Sequence, residues 1–362
     1  MKIALVYDWL NCIGGAERVI KTLCKIWPQA DIFSSVYDSD RSIIRNGKIK
    51  TSFLQSFPLA LSKTYLYYPI LPLAFEQFIL DEYDIVISVS SGPAKAIITK
   101  PETFHLNYCL TPPRYIWCDD LSPKLLFNPL KNLLKKHDYL LSKRPDEIIS
   151  ISKNTQKRVK DYYHKDTMVI YPGIDLKKFL PIKNPKRDYF LIVSRLVEYK
   201  KIDLAIKAFN KNGKRLLIAG TGRQINELQA IAKDNVEFLG LVEEKMLINL
   251  YQNAIALINP QEEDFGLAPI ESQACGTPVI AYGKGGATET VQNGKTGVLF
   301  FKQTISDLNK AVRQLERLKI NSSDCRKNAL KFNEKDFMLL FKNTTEKLWQ
   351  KNLKTNQKTF ML

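Results

Sequence analysis

Short apolar runs alternate with stretches of helical periodicity along the second half of the sequence. A short apolar run bounded by turn residues is typical of a buried strand, whereas apolar residues three and four positions apart indicate one face of a helix. Strands that alternate with helices form parallel sheets covered on both faces, and such sheets bind ligands at the carboxyl ends of their strands. The pattern predicts strands at 189–193, 215–219, 236–239, 254–258 and 278–281.

The first half carries the same kinds of pattern, which indicates a second domain of the same class. A chain of 362 residues with 45% hydrophobic content is long for one domain and can bury two cores. Strand-like runs stand at 2–8, 84–89, 104–109, 147–151 and 168–171, and helical spacing at 16–27 and 153–163.

Three prolines and a glycine between 172 and 185 mark the connection between the two halves. Chain termini beyond the last apolar periodicity are commonly poorly ordered. We therefore predict an N-terminal domain at 1–175, a linker at 176–187, a C-terminal domain at 188–335, and at 336–362 a helix that packs back across the junction and ends in a disordered tail after Lys351.

The composition narrows the classes of partner and compartment. The net charge of +17, from 54 Lys and Arg against 37 Asp and Glu, indicates an anionic partner such as nucleic acid, acidic lipid or a nucleotide phosphate. No segment approaches the ~20 apolar residues of a membrane span and no signal-peptide pattern is present, so we expect a cytoplasmic protein. Six cysteines without C-x-x-C spacing predict reduced thiols, and three histidines without H-E-x-x-H predict no dedicated metal site.

Two glutamates bracket a glycine turn and a helix start in N-P-Q-E-E-D-F-G-L-A-P-I-E at 259–271. Glu263 falls in the loop after a strand, and Glu271 in the first turns of the helix, where Pro269 also fits. No Ser, Thr, Asp or Asn directly precedes this helix, so its first N–H groups are available to an anionic or hydroxyl-rich ligand. Ionised carboxylates accept two hydroxyl donors at once, which suits the diols of sugars and ribose.

A plainer interpretation of this stretch is a solvated acidic loop at 262–264, with Glu271 on the helix surface. Two carboxylates beside a bound phosphate would repel it unless cations stand opposite. Arg195 and Lys200 supply such cations just after the first strand of this half.

The wider pattern F-G-L-x-x-x-E-S-x-A-x-G-x-P-V-I-A closely resembles the retaining glycosyltransferases of family 4. The resemblance covers nearly the whole chain. It implies the GT-B fold, an α/β architecture in which two doubly wound Rossmann-like domains face a central cleft, with a nucleotide-sugar donor and no metal or other cofactor. Further matches are S-R-L-V-E-Y-K at 194–200, I-A-G-T-G at 218–222, V-E-F-L-G at 236–240 and G-G-A-T-E-T-V-Q-N-G-K-T-G at 285–297.

The resemblance implies roles for residues that follow strands of the second domain. Arg195 and Lys200 would bind the donor diphosphate and stabilise the charge that develops on it, in place of a metal ion. Glu263 would hold a hydroxyl of the donor sugar, and Glu271 the ribose diol. The backbone groups expected against the sugar belong to Phe265, Gly266 and Leu267.

In the first domain, a strand is followed by Gly14 and Gly15 and then by a helix. This arrangement lets the backbone approach a phosphate closely, although simple turn chemistry explains a glycine pair as well. The resemblance implies that both glycines face the donor diphosphate. Glu17 matches the G-G-A-E pattern of many family members, and we assign it no role.

The segment L-T-P-P-R-Y-I-W at 110–117 resembles H-T-P-x-R-Y-x-W of the mannosyltransferase-like branch. The family often places that histidine beside the transferred sugar, and Leu110 stands in its position here, which puts an acid–base role there in question. Thr111 and Arg114 match, and Arg114 is expected to face the donor or an anionic acceptor. The alternative is a structural Pro-Pro turn with stacked aromatic residues. The resemblance favours mannose as the sugar and a GDP-sugar over a UDP-sugar.

Asp38-Ser39-Asp40 has the D-x-D spacing that binds metal in the other large glycosyltransferase fold. It lies early in the chain before a basic stretch, where Asp and Ser more commonly form a turn. We therefore predict a turn and assign no metal ligand.

These observations predict a retaining glycosyltransferase that moves a hexose from a nucleotide-diphosphate sugar to a lipid-linked or polysaccharide-precursor acceptor. Retention is expected through same-face attack, with the leaving phosphate accepting the proton of the acceptor. Two alternatives stay open, namely another two-Rossmann sugar-nucleotide enzyme such as an epimerase or phosphorylase, and a non-catalytic basic binding protein. No nucleic-acid partner is expected, because basic and aromatic residues do not interleave as they do in base-stacking sites.

Leucines, a phenylalanine and lysines are mixed at 121–144. This composition predicts a peripheral surface that docks on the anionic inner face of the membrane, where the acceptor would be a membrane glycolipid precursor. The apolar stretch 53–80 supports docking. The alternative is an ordinary amphipathic helix that packs its leucines on the core. Docking requires several of four residues at the surface beside the lysines, namely Leu125, Phe127, Leu130 and Leu134, whereas the alternative buries them.

Overall fold

The computed structural model describes residues 1–44, 48–118 and 128–359. The chain forms two compact units. The first comprises Met1–Pro172 together with Asp336–Leu362, and the second comprises Gly173–Lys335. Each unit is built on one sheet of parallel strands, which confirms the α/β class predicted from the alternating pattern.

The sheet of the first unit has seven strands. They are β1 (Ile3–Tyr7), β2 (Asp31–Ser34), β3 (Ile49–Thr51), β4 (Ile85–Ser90), β5 (Phe104–Cys109), β6 (Glu147–Ser150) and β7 (Met168–Val169). Their order across the sheet is β3-β2-β1-β4-β5-β6-β7. Every residue of β1, β4 and β5 is buried, as expected for strands covered on both faces.

The helices of the first unit are α1 (Gly15–Ile26), α2 (Leu71–Glu76), α3 (Arg114–Trp117), α4 (Asn128–Leu141) and α5 (Lys153–Tyr163). Residues Val19, Ile20 and Leu23 of α1 are buried at helical spacing, which is the periodicity that predicted this helix. Among the described residues, no helix is long and apolar enough to span a membrane.

The last helix of the chain packs its aromatic residues on the first unit. The rings of Phe337 and Phe341 lie 6.1 and 4.9 Å from the ring of Tyr108, and Phe341 lies 6.1 Å from Trp27. This helix runs over Glu334–Thr359 and therefore continues past Lys351, where a disordered tail was predicted. The prediction was wrong up to Thr359 because the segment contains no proline or glycine to end the helix.

The sheet of the second unit has six strands. They are β8 (Tyr189–Val193), β9 (Leu216–Ala219), β10 (Val236–Gly240), β11 (Ala254–Asn259), β12 (Val279–Tyr282) and β13 (Gly297–Phe300), and their order is β10-β9-β8-β11-β12-β13. The five strands predicted for this half are confirmed to within a residue or so at each end. The helices are α6 (Ile202–Asn212), α7 (Ile225–Ile231), α8 (Glu244–Asn253), α9 (Leu267–Ala274), α10 (Ala287–Thr290), α11 (Ile305–Arg317) and α12 (Ser322–Ala329), and α13 (Glu334–Thr359) follows them.

Both sheets reverse their winding direction at a defined pair of strands. In the second unit the chain adds β9 and β10 on one side of β8, and β11 to β13 on the other. The loops after β8 and β11 therefore leave the sheet in opposite directions and open a crevice at the carboxyl ends of these strands. In the first unit β1 and β4 stand in the same relation.

The segment 53–80 is short-helical and exposes much of its apolar surface. It contains α2 and two 3-10 turns, Phe53–Ser56 and Thr64–Tyr67. Leu54, Leu71 and Phe75 fill the core. The exposed large side chains of this segment are Phe53, Phe57, Leu59, Tyr65, Leu66, Leu73 and Ile79.

The carboxylate of Asp8 joins the end of β1 to the loop that follows β4. Its Oδ2 accepts the N–H of Ser91 at 2.6 Å, and its Oδ1 accepts the N–H of Ala94 at 2.8 Å. The side chain is fully buried, and this burial raises the pKa of the Asp8 carboxyl to about 6 despite the hydrogen bonds. The ionised Asp8 carboxylate therefore lowers the stability of the fold near neutral pH, and its hydrogen bonds to the loop hold it in place.

We expect Asp8 to make the fold less stable as pH rises toward neutrality. Because the pKa of Asp8 in the folded state, about 6, lies above the unfolded value of ~3.9, the folded protein binds more protons in between. The free energy of unfolding should fall by about 2 kcal/mol from about pH 4.5 to about pH 7, and should be insensitive to Asp8 at higher pH. Urea denaturation of the wild type and of Asp8→Asn at both pH values measures the contribution of Asp8 to the free energy of unfolding. An equal change of this free energy with pH in the two proteins would contradict the prediction.

Candidate functional site

Lys200 and Glu263 form an ion pair at the crevice between β8 and β11. Lys200 ends a 3-10 turn, Glu198–Lys200, that follows β8, and Glu263 lies in the loop after β11. The Lys200 Nζ contacts Glu263 Oε1, and both side chains are largely buried. An ion pair removed from water loses much of its hydration, so removing one partner leaves an uncompensated charge in the site.

A buried amide supports the same carboxylate. Gln261 is only 2% exposed, and its Nε2 donates to Glu263 Oε1 at 2.6 Å and to Asn259 Oδ1 at 2.7 Å. A carboxylate can only accept, so the contact with Glu263 fixes which end of the Gln261 amide is the nitrogen. Oε1 of Glu263 thus receives two donors, Gln261 and Lys200. Sequence reasoning missed Gln261, because nothing in its spacing signals that its amide turns inward.

Tyr199 contacts both cations that were predicted to bind the diphosphate. Arg195 is exposed, and its Nη2 donates to the Tyr199 hydroxyl at 3.0 Å. The Lys200 Nζ lies 5.1 Å from the centroid of the same ring, within the range of a cation–π contact. The structure therefore brings Arg195, Lys200 and Glu263 together, as the sequence predicted, with Tyr199 between the two cations.

Glu271 is buried near the start of α9. It is 2% exposed, and its Oε2 accepts the hydroxyl of Tyr251 on α8 at 2.9 Å. The alternative in which Glu271 is a helix-surface residue and Glu263 part of a solvated loop is wrong, because both carboxylates are withdrawn from water. Carboxyl groups buried close to the ends of strands, each held by a hydrogen-bond donor, can accept hydroxyl or cationic donors of a ligand.

A glycine pair holds the loop that carries Glu263. The N–H of Gly286 donates to the Glu263 carbonyl oxygen at 2.8 Å. A Cβ on Gly285 would lie 2.2 Å from that oxygen, and a Cβ on Gly286 would lie 2.3 Å from the carbonyl oxygen of Phe265. Neither contact is sterically possible, so glycine is required at both positions for the loop to lie here.

Residues 265–267, whose backbone was predicted to approach the donor sugar, form the turn that leads into α9. Phe265 is buried with its ring 5.6 Å from that of Phe332. Gly266 has a φ of 94°, which side chains rarely tolerate, and serves as the N-cap of α9 without a side-chain hydrogen bond. Leu267 begins the helix and is half-buried. Helix α9 therefore begins without a side-chain cap on its first N–H groups.

The glycines of I-A-G-T-G bring the loop after β9 against the loop after β8. A Cβ on Gly220 would lie 1.9 Å from the Ser194 carbonyl oxygen, and one on Gly222 would lie 2.3 Å from that of Leu196. Ser194 and Leu196 flank Arg195, so these close approaches fix the backbone on both sides of the cation.

In the first unit, Gly14 and Gly15 stand at the start of α1. Gly14 is the N-cap, its backbone is extended, and no side chain caps the helix. A Cβ on Gly14 would lie 2.8 Å from Glu17 Oε2, so a side chain at this position would have to displace the Glu17 carboxylate. Glu17, for which the sequence suggested no role, is itself buried in this turn.

The segment 110–117 is held by polar and aromatic contacts. Leu110 is buried, and its carbonyl oxygen accepts the Thr155 hydroxyl at 3.0 Å. The Thr111 hydroxyl accepts from Arg158 Nη1 at 3.2 Å. Leu110 therefore serves as a core residue, in keeping with the loss of the histidine of the family pattern.

Aromatic contacts surround Arg114, which begins α3. Tyr115 meets Tyr68 edge to face at 4.5 Å, and Trp117 stacks on Tyr162 at 4.6 Å. Trp117 Nε1 also donates to the buried Asp138 at 2.7 Å. The structural alternative of a turn with stacked aromatic residues accounts for Tyr115 and Trp117, and a binding role for Arg114 stays a prediction.

The Asp38-Ser39-Asp40 sequence forms a turn. Asp38 Oδ1 accepts the N–H groups of Asp40 at 3.0 Å and of Arg41 at 3.3 Å. This is the pattern by which an aspartate stabilises a turn from its first position. Across the described part of the chain, no group of three or more His, Cys, Asp and Glu side chains is arranged to hold a metal ion.

Partial matches link the chain to curated relatives. A D-inositol 3-phosphate glycosyltransferase of Geodermatophilus obscurus is 30% identical over 219 residues, which are 51% of this chain and 48% of that protein. A GDP-mannose-dependent monoacylated alpha-(1-6)-phosphatidylinositol monomannoside mannosyltransferase of Corynebacterium glutamicum is 34% identical over 177 residues, 40% of this chain and 46% of that protein. The chain thus spans about half the length of these relatives.

Solved structures share the fold at low sequence identity. A sucrose-phosphate synthase from Thermosynechococcus elongatus is 18% identical with a TM-score of 0.77, over 97% of this chain and 100% of that one. Anabaena HepE in complex with UDP-glucose is 18% identical with a TM-score of 0.71, over 96% and 100%. These likenesses confirm the predicted GT-B fold.

Two family models match consecutive parts of the chain. The model described as Glycosyltransferase Family 4 matches residues 13–178, and the model described as Glycosyl transferases group 1 matches residues 173–332. The matched parts include the glycine turn before α1 and the loops that carry Arg195, Lys200, Glu263 and Glu271. This chain therefore belongs to glycosyltransferase family 4.

Proposed function

We propose that the protein is a retaining hexosyltransferase that uses a nucleotide-diphosphate sugar. The observation that carries the proposal is the cluster after β8 and β11, where Lys200 and Gln261 hold Glu263, and Tyr199 contacts both Lys200 and Arg195. A cation pair next to a fixed, partly desolvated carboxylate matches a ligand that carries a diphosphate and hydroxyl groups together.

In the proposed reaction, Arg195 and Lys200 bind the diphosphate and offset the charge it gains as the glycosidic bond breaks. Glu263 holds a sugar hydroxyl, and Glu271 the ribose diol. The acceptor oxygen bonds to the anomeric carbon on the face that the phosphate leaves, and a phosphate oxygen takes the acceptor proton. The side chains of this chain supply the positive charge, so the proposal assigns no step to a metal ion.

We propose that the donor is a GDP-sugar and that the transferred sugar is mannose. The segment 110–117 supports this choice through its mannosyltransferase-like pattern, and the Corynebacterium relative is named as GDP-mannose-dependent. HepE was solved with UDP-glucose, which makes UDP-sugars the competing class.

We propose a lipid-linked saccharide or other membrane glycolipid precursor as the acceptor, with the first unit docked on the anionic inner face of the membrane. On α4, Leu133 is 63% and Leu140 51% exposed, and Lys136 is exposed between them. Leucines beside a lysine on one helix face suit the boundary between head groups and acyl chains. The exposed apolar side chains of the segment 53–80 add to this surface.

The surface differs in detail from the one predicted at 121–144. Leu130 and Leu134 are half-buried, so the prediction that they are exposed was wrong, since the neighbouring face of α4 turns outward. Lys131 is 8% exposed and cannot contact lipid. Leu125 and Phe127 lie outside the described residues.

We expect Arg195→Ala, Lys200→Ala and Glu271→Ala each to lower kcat for sugar transfer by about a hundredfold. Each removes a contact to charge or hydroxyl that strengthens in the transition state, worth ~3 kcal/mol. The measurement is product formation from radiolabelled nucleotide sugars, with folding checked by circular dichroism.

Lys207→Ala is the matched control for this set. Lys207 is an exposed lysine of the same unit that pairs with Asp203 one helical turn away, and its loss should leave transfer unchanged. Gln261→Met, which keeps the volume and loses the donor, should fall between the control and Lys200→Ala. Full activity in all three site variants would sink the assignment.

We expect a GDP-sugar to raise the melting temperature more than a UDP-sugar. A ligand at about a hundred times its Kd stabilises the folded state by ~2.7 kcal/mol. A thermal-shift panel of GDP-mannose, UDP-glucose, GDP and UDP measures this. A shift with UDP-sugars alone would reverse the choice of donor, and no shift with any of the four would contradict the proposed function.

We expect the wild-type protein to co-sediment with anionic vesicles at low salt. Each basic residue near an anionic surface contributes ~1 kcal/mol, so Lys136→Glu should lower the partition coefficient at least about fivefold. Lys160→Glu is the control, because Lys160 is an exposed lysine on α5 with the same change of charge. Wild type that ignores phosphatidylglycerol vesicles, or equal effects of the two reversals, would contradict docking.

A further inference from the structure

The buried carboxylate of Glu17 lies beside the start of α1 without capping it. Glu17 is the third residue of the helix, a position from which glutamate commonly reaches back to the N–H of the N-cap residue. Here Glu17 Oε1 instead accepts the hydroxyl of Tyr7 at 2.6 Å, with the Cys12 Sγ 3.4 Å away. Tyr7 belongs to β1 and is itself buried, so the strand determines where the carboxylate points.

Within the described ranges, no lysine or arginine forms an ion pair with Glu17, which is 4% exposed. Its Oε2 lies 2.8 Å from the position that a Cβ of Gly14 would take. A mobile carboxylate here would be drawn to the positive end of the α1 dipole and would occupy the first N–H groups.

We propose that Tyr7 is a positioning residue that keeps Glu17 from capping α1, so that the first N–H groups of the helix stay available to the donor diphosphate. The inference rests on the proposed function and on the expectation, implied by the family resemblance, that Gly14 and Gly15 face that diphosphate. It gives Glu17 a defined place in the fold: its carboxylate fills the space under the glycine turn, and the Tyr7 hydroxyl restrains it.

The test is the coupling between Tyr7 and Glu17 in nucleotide binding. Tyr7→Phe releases the carboxylate to cap the helix and to repel an anion, so the Kd for GDP or UDP should rise about tenfold, equivalent to ~1.4 kcal/mol. The KM for the nucleotide sugar should rise in parallel with little change in kcat. Tyr7→Phe/Glu17→Gln should return both constants to within about twofold of wild type, because the amide carries no charge.

Tyr108→Phe is the matched control. Tyr108 is another buried tyrosine of the same sheet, and its hydroxyl donates to the Ile170 carbonyl oxygen at 2.6 Å. Its loss costs one buried hydrogen bond away from α1 and should leave the Kd for GDP and UDP unchanged. A merely structural role for Tyr7 would show the same profile as this control.

The outcomes separate this inference from the proposed function. If the wild type binds neither GDP nor UDP, both the proposed function and the inference are contradicted. If the wild type binds but Tyr7→Phe has the wild-type Kd, or the double variant stays as weak as Tyr7→Phe, the inference alone is overturned. Should Tyr7→Phe fail to fold, Glu17→Gln decides: an unchanged or lower Kd supports the inference, and a severalfold rise shows that Glu17 binds the donor itself.

Discussion

The second unit depends on one carboxylate that is held largely out of water. Glu263 would be unstable in this position without donors, and Lys200 and Gln261 supply two to the same oxygen. Gly285 and Gly286 let the neighbouring loop approach until an N–H reaches the Glu263 backbone. Cation, amide and glycine pair are thus parts of one arrangement that holds the Glu263 carboxylate largely out of water.

The first unit uses the same physical solution after β1. Asp8 and Glu17 are both buried, and both are held by hydrogen-bond donors, Asp8 by backbone N–H groups and Glu17 by the Tyr7 hydroxyl. Fixed donors let a buried carboxylate stay ionised or bonded in one orientation. The Glu17 carboxylate can therefore lie close to the N-terminus of α1 without occupying its first N–H groups, whereas Asp8 binds the N–H groups of the loop after β4 directly.

The sequence predicted what periodicity encodes and missed what depends on orientation. Strands β5 and β8 were predicted to the residue, because β8 is apolar throughout and β5 alternates His105 and Asn107 with apolar residues, and both patterns indicate a strand. Gln261 and Tyr7 could not be assigned, since their partners are recognised only when the loop or sheet brings the atoms together. The exposed leucines of α4 were predicted on the wrong face for a related reason: Leu133 and Leu130 differ in sequence only by position, and packing decides which one turns to solvent.

Under the proposed function, the ion pair between Lys200 and Glu263 would let the site distinguish the nucleotide-sugar donor from the nucleotide diphosphate that remains after transfer. In this structure the charge of Lys200 is already balanced, so a diphosphate alone would meet a carboxylate next to its cation. Under the proposed function, the hydroxyl groups of a nucleotide sugar would donate to Glu263 while its diphosphate engages Lys200 and the exposed Arg195. Recognition of sugar and diphosphate would then be coupled through one ion pair: loss of the sugar would leave Glu263 facing an anion with Gln261 as its remaining neutral donor, which would favour release of the nucleotide after transfer.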